Sequence, residues 1–221
     1  MPTNLIKANN IKQAVEELDK DKSIGSIAGD VAIELNKKVI ISDEAKRLGL
    51  KTTYAIIRGV NVKNSDEELD ILKKRIGSEF DEKRLKYMQD SYRSFGIDPQ
   101  KRVPSAEALI KRLKEGKPLY KINTLVDAYN LSSIRESLPM AAYDLSKVDF
   151  PITLRMAKDG EEITLIGGEK KKIKSNEIVY ADSSDILCLD FNYRDCDKTK
   201  ITDKTKDIIV FVDGCNSING N

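Results

Sequence analysis

The polarity pattern changes character near Pro139. Before it, apolar residues recur mostly at helical spacing. Ile11, Val15 and Leu18 predict a short amphipathic helix over residues 8–22, with Asn9 or Asn10 as its cap. Val39 to Ile41 reads as a short strand, and SDEAKRLGL as a helix with Ser42 as N-cap and Gly49 as its stop. Tyr54 to Val62, rich in aromatic and β-branched residues, reads as a strand. Residues 65–95 are charged and helical, opened by Ser65, Asp66 and Glu67 and punctuated by Gly77 and Gly96. Asp98-Pro99 breaks the chain. PSAEALIKRLKEG then starts a helix from Ser105, an imperfect capping box because Ala108 stands where Glu would. After Pro139 the runs ITLRMAK, EEITLIGG, EIVYADSS, DILCLDFNYR and KDIIVFVDG are β-rich, and Asp159-Gly160 signals a hairpin.

These elements predict an α+β fold with a helical N-terminal half and a β-rich, mostly antiparallel C-terminal half. No internal repeat or long linker divides it. The expected organisation is an N-terminal helical extension over residues 1–39 and one domain over residues 40–221.

One helix breaks the usual pattern. In NTLVDAYNLSSIRESLPMAAYD, Asn123, Asp127, Asn130 and Ser133 fall on one helical face. Solvated faces are built from Lys, Glu and Gln. Asn, Asp and Ser compete with the backbone for hydrogen bonds and are poor helix residues. A face made of them points to buried hydrogen bonds or a binding site; the plainer alternative is a series of caps and turns.

The same segment resembles the editing module of the bacterial phenylalanyl-tRNA synthetase beta subunit. The family form is N-x-x-V-D-x-x-N, followed by Gly-x-Pro-Leu-His-Ala-Tyr/Phe-Asp. Three further pieces keep the family's order: Arg155 to Glu161, Thr164 to Gly168, and Ile201 to Val210. PSAEAL, from Pro104 to Leu109, and YRDCDKT, from Tyr193 to Thr199, resemble more narrowly a family of stand-alone proteins made of this module. The resemblance spans residues 40–213 and implies a β-sandwich-like core of unusual topology flanked by helices. It also implies a pocket between the LPMAAYD segment and the RDCDKT turn, with Asn123, Asp127, Asn130, Met140, Ala141, Tyr143, Arg194, Asp195 and Thr199 as candidate binding residues. The chain departs from the family at two places. Ala141 stands where the family has its pocket His, and Lys200 stands where it has a Glu. A pocket built to reject tyrosine is therefore not retained.

Composition narrows the chemistry. The 221 residues are 40% hydrophobic and 33% charged, suiting a soluble globular protein able to bury one sizeable core. No apolar run approaches the roughly 20 residues of a membrane span, and MPTNLIKANNIKQ lacks a signal-peptide core. Cys188, Cys196 and Cys215 form no CxxC, so neither a disulfide framework nor a thiolate zinc site is expected, and the expected compartment is the cytoplasm. The chain has no histidine, which removes Ser-His-Asp and Cys-His mechanisms and imidazole metal sites. No metal and no cofactor is implied. Asp195 disfavours the Cys196 thiolate, so that residue is not expected to act as a nucleophile.

Net charge is only +2, yet residues 101–121 carry a local net charge of +5 and residues 169–174 one of +3. Lys111, Arg112, Lys171 and Lys172 are the candidate RNA contacts; a solvated helix end and hairpin tip are the alternative. Arg155, flanked by apolar residues, is expected to pair with a carboxylate such as Glu161. Arg194 is expected either to clamp an anion or to hold its turn by an ion pair.

The resemblance implies binding of the aminoacylated end of tRNA, and hydrolysis of mischarged aminoacyl-tRNA in trans. An activated ester needs only a positioned water and the terminal ribose hydroxyl, so catalysis is possible without histidine. The alternative is a non-catalytic RNA- or amino-acid-binding module; a third reading is a protein for a free amino-acid-like ligand that has lost tRNA. Neither DNA nor a membrane is implied as a partner.

Overall fold

The structure, a computed structural model, describes residues 39–77 and 80–216. The helix expected at 8–22 lies outside them. Ten strands and five α-helices follow in the order β1 (Val39–Ile41), α1 (Asp43–Arg47), β2 (Leu50–Ile57), α2 (Glu67–Arg75), α3 (Glu82–Ser94), α4 (Ser105–Lys114), α5 (Thr124–Glu136), β3 (Met140–Asp144), β4 (Ile152–Met156), β5 (Glu162–Thr164), β6 (Lys170–Lys172), β7 (Ile178–Ala181), β8 (Ile186–Leu189), β9 (Arg194–Asp195) and β10 (Ile208–Cys215). All five described α-helices precede Pro139 and eight of the ten strands follow it, an α+β fold.

Two sheets form the core. One runs β1-β4-β7-β8-β9, the other β2-β10-β3, and β5 and β6 make a separate ribbon. Pairing is antiparallel except for β1 on β4, which is parallel. Alternation along β10 assigns its two faces. Ile209 and Phe211 point into the main core with Tyr143, Ile56 and the whole of β7 and β8. Ile208 and Val210 point the other way, onto Leu125 and Val126 of α5. Phe211 is the hub between the sheets, with ring centroids 5.2 Å from Tyr180 and 5.6 Å from Tyr143. α1 and α3 reach the main core directly, through Ala45, Met88 and Tyr92. The three-stranded sheet lies between the five-stranded sheet and α5. α2 meets α5 through Leu69 and Ala128, and α3 and α4 through Leu85, Ile110 and Ile134.

Caps decide several boundaries. Ser42 accepts from the Ala45 amide, Asp66 from Glu68 and Leu69, and Asn123 from Val126. Three expectations need correction. The strand expected from Tyr54 to Val62 begins at Leu50 and ends at Ile57, because Asp207 accepts from Arg58 and the Gly59 amide and turns the chain; Val60 and Val62 still pack in the second core. The helical stretch 65–95 breaks near Gly77, as expected, into two helices. At α4, Pro104 takes the N-cap position with no side-chain cap, and Ser105 is already helical. Asp159-Gly160 is a turn but not a hairpin, since β4 pairs with β1 and β7 while β5 pairs with β6. Arg155, as expected, meets Glu161 through two bonds of 2.6 and 2.9 Å.

α2 is locked to α5 by Lys73 and Asp127, 2.6 Å apart, with side chains 9% and 3% exposed. Removing one partner of such a pair strands the other charge. Asp127→Ala should therefore lower unfolding free energy by about 3–5 kcal/mol, read from urea denaturation at unchanged m-value. A drop within the roughly 0.5 kcal/mol of ordinary surface substitutions would show that the pair contributes little.

Candidate functional site

α5 spends its unusual polar face on two tasks. Asn123 caps the helix at 3.0 Å and reaches the Ile201 carbonyl at 3.4 Å. Ser133 donates to the Leu138 carbonyl at 2.7 Å, closing the turn into β3. Asp127 accepts from Lys73 and also from the Ile122 amide, at 3.1 Å. The face is therefore mostly buried hydrogen bonding. Asn130, half-buried, is different: it lines a surface cleft of 710 Å³.

That cleft is the principal candidate site. Its walls come from α4 (Lys111, Arg112), the segment before it (Lys101, Val103), the loop after it (Glu115, Lys117, Tyr120, Ile122), Asn130 of α5, and Tyr193. Arg112 bridges two of these walls. Its Nε donates to the Pro118 carbonyl at 2.6 Å, and its guanidinium lies 4.0 Å from the Tyr120 ring centroid.

The local charge is smaller than the sequence total. Arg102 is turned inward onto Asp190 and Glu177, at 2.6 and 2.7 Å. Lys114 pairs with Glu82, Lys117 with Glu115 and Lys121 with Asp70. Lys101 and Lys111 form no ion pair among the described residues. With Arg112 they are the cations left to meet an anionic ligand.

Lys171 and Lys172 lie on β6, in the β5–β6 ribbon, and do not line this cleft. Arg194 does not line it either. It sits opposite Leu189 on β9, exposed, with its guanidinium 3.0 Å from Glu169. The partner is 25 residues away rather than within Arg194's own turn, and consecutive strand residues point to opposite faces, which separates Arg194 from its neighbour Asp195.

Asp195 belongs to a second, buried group between the sheets. Tyr143 donates to it at 3.2 Å, and Asp195 lies opposite Cys188 in the strand register. Ala141 lies opposite Phe211 and faces the same space, with Met140 beginning the strand. The LPMAAYD segment and the RDCDKT turn do adjoin, as the Asp144 amide donates to the Thr199 carbonyl at 2.9 Å. Thr199 is fully buried, its hydroxyl 3.1 Å from the Cys196 sulfur.

Burial raises the carboxyl of Asp195 and the hydroxyls of Tyr143, Tyr180 and Tyr129, so these phenols stay protonated donors. Tyr129 is raised further by the Asp195 and Asp127 charges. Burial also raises the Cys196 thiol, and Asp195 adds to that, which fits a residue that is no nucleophile.

Tyr120, Ile122, Tyr180 and Asp213 are absent from the residues that the sequence singles out, and Tyr193 enters there only as the first residue of a motif. For Tyr120 a signal existed: an aromatic set among lysines in KPLYK. For Asp213 there was none, because a carboxylate ending an apolar strand reads as solvent-facing.

The B3/4 domain family profile matches residues 88–220, and the chain belongs to that family. The phenylalanine–tRNA ligase beta subunit of Haemophilus ducreyi is 38% identical over 89 residues, 40% of this chain. That of Fusobacterium nucleatum is 36% identical over 91 residues, 41% of this chain. Each match spans only 11% of the curated subunit. A solved N-terminal fragment of the phenylalanyl-tRNA synthetase beta subunit from Pyrococcus horikoshii is 15% identical, with a TM-score of 0.44 over 85% of this chain and 46% of that one. Among the described residues no helix is long and apolar enough to cross a membrane.

Asp213 gives the core a pH dependence. It is 2% exposed and accepts from the Tyr180 hydroxyl at 2.6 Å, and burial pushes its carboxyl up to about 7. The folded chain holds this proton more tightly than the unfolded chain, whose Asp titrates near 4. Its stabilising contribution is complete below about pH 4 and is lost as pH rises to about 7. Asp213→Asn keeps the acceptor for Tyr180 and cannot ionise. It should raise stability at pH 8 by up to about 4 kcal/mol, with little gain at pH 4. Thermal melts across that range would show it, and an equal effect at both ends would reject it.

Proposed function

We propose that this chain binds the aminoacylated end of tRNA and hydrolyses mischarged aminoacyl-tRNA in trans. Membership of the B3/4 family and similarity to phenylalanine–tRNA ligase beta subunits support the ligand class. The observation that carries the reading is the cleft itself. It gathers Lys101, Lys111 and Arg112 with the exposed Tyr120 and with Asn130, the one residue of the motif helix's polar face that lines it. Cations answer the phosphates, and the amide can orient the acyl end.

The reaction asks little of side-chain chemistry. Water attacks the ester carbonyl, the ester C–O bond breaks, and the proton passes to the departing ribose oxygen. The protein's part is to orient the ester and hold the water. The second reading is a non-catalytic RNA- or amino-acid-binding module. Ala141 at the family's His position, in a chain without any histidine, favours it.

Turnover of a panel of purified aminoacyl-tRNAs separates the two readings. Release of at least one amino acid above the spontaneous rate supports hydrolysis; tight tRNA binding with no release supports the binding module. Binding should weaken steeply with salt. The double variant Lys101→Gln with Lys111→Gln should flatten the log–log slope by roughly 0.7–0.9 for each phosphate that is no longer neutralised. Lys171→Gln with Lys172→Gln tests the ribbon patch in the same way. Undetectable tRNA affinity at low salt would overturn the proposal.

A further inference from the structure

Tyr120 is 56% exposed and Ile122 is 54% exposed, side by side on one cleft wall. Neither packs in a core, so neither contributes to folding by burial. The loop that carries them is nevertheless pinned along its length. Arg112 holds the Pro118 carbonyl at 2.6 Å, and Lys73 holds the Tyr120 carbonyl at 3.3 Å. Lys121 reaches Asp70 at 2.6 Å, and Asp127 accepts from the Ile122 amide. Two of these anchors form the buried Lys73–Asp127 pair itself. A loop without regular structure is thus tied to α2, α4 and α5, with its aromatic side chain directed outward.

Arg112 covers the Tyr120 ring at 4.0 Å from its centroid, and the ring's overall exposure leaves surface for a ligand. Lys101 and Lys111 line the cleft unpaired, its one carboxylate, Glu115, is held by Lys117, and Tyr193 and Asn130 also line it. An aromatic surface next to unpaired cations suits a flat, neutral ring system attached to phosphate. An acidic peptide would use the cations but not the ring. Duplex bases are stacked on one another and offer no free face.

We propose that Tyr120, clamped by Arg112, is a stacking platform for an unpaired nucleobase at the single-stranded end of RNA, with Lys101 and Lys111 meeting the adjoining phosphates. This rests on the tRNA reading above and names the contact that recognises the strand end. Because the loop is pinned before the ligand arrives, its ordering cost falls on folding and not on binding.

The test uses an RNA minihelix with a single-stranded 3′ overhang carrying 2-aminopurine, and a blunt minihelix as its control. The wild-type chain should bind the overhang form more tightly and quench 2-aminopurine fluorescence. Tyr120→Ala and Tyr120→Leu should each weaken overhang binding on the order of 5- to 150-fold and abolish the quench. Tyr120→Phe should retain both. The salt slope should stay unchanged in all three, since every cation facing a phosphate is kept, and melting temperatures should match the wild type. Lys111→Gln should lower the slope while leaving the quench in the bound complex. Overhang binding unaffected by Tyr120→Ala, equal affinity for the blunt form, or equal competition by polyglutamate at matched charge would overturn the platform while leaving RNA binding intact. Failure of the wild type to bind either RNA at low salt would remove the tRNA reading and the platform together.

Discussion

The docking of α2 on α5 and one wall of the candidate site both depend on one buried ion pair. Asp127 lies on α5 where the helix is covered on almost every side, and a carboxylate there requires a cation. Lys73 supplies it from α2. The pair's remaining hydrogen-bonding capacity goes to the loop after α4, through the Tyr120 carbonyl and the Ile122 amide. A single electrostatic requirement thereby docks one helix on another and fixes the wall of a cleft. An apolar pair of similar volume would dock the helices as well, but it would leave the loop without those two anchors.

The sandwich carries a second set of buried polar groups with a different logic. Tyr180 meets Asp213, and Tyr143 meets Asp195, in the space between the sheets. Here no cation is paired with either carboxylate among the described residues, and both acids are raised by burial. These groups are satisfied as neutral or singly charged hydrogen-bonding pairs rather than as salt bridges. The contrast with Lys73–Asp127 separates a docking device from a tuned interior. Ala141 faces this interior with only a methyl group, opposite Phe211.

Much of the architecture was legible along the chain because its causes are local. Ser42, Asp66 and Asn123 cap helices where their side chains reach amides two or three residues on. The runs that became β7 and β8 are largely apolar because both faces of those strands are covered. The Arg155–Glu161 bond was readable because the partners are six residues apart across a turn. Errors arose where a distant residue intervened. Asp207 ends β2 from the far end of the sequence, and the pairing of β4 with β7 rather than β5 turns an apparent hairpin into a crossing between sheets.

The sequence by itself determined the family, through ordered motifs, and the presence of a polar helix, a basic stretch and a chain without histidine. Those are properties of composition and order, and they survive unfolding. Only the tertiary structure decided which charges are free and where they gather. Four of the seven cations in residues 101–121 are held by acidic partners, and Arg112 is laid over Tyr120. Arg194 pairs with Glu169, and Asn130 meets residues from four other segments in one cleft. The physical reason is range. Caps and periodicity act over a few residues of chain, whereas an ion pair or a cleft needs groups separated by tens of residues to be brought within a few ångströms, which only packing accomplishes.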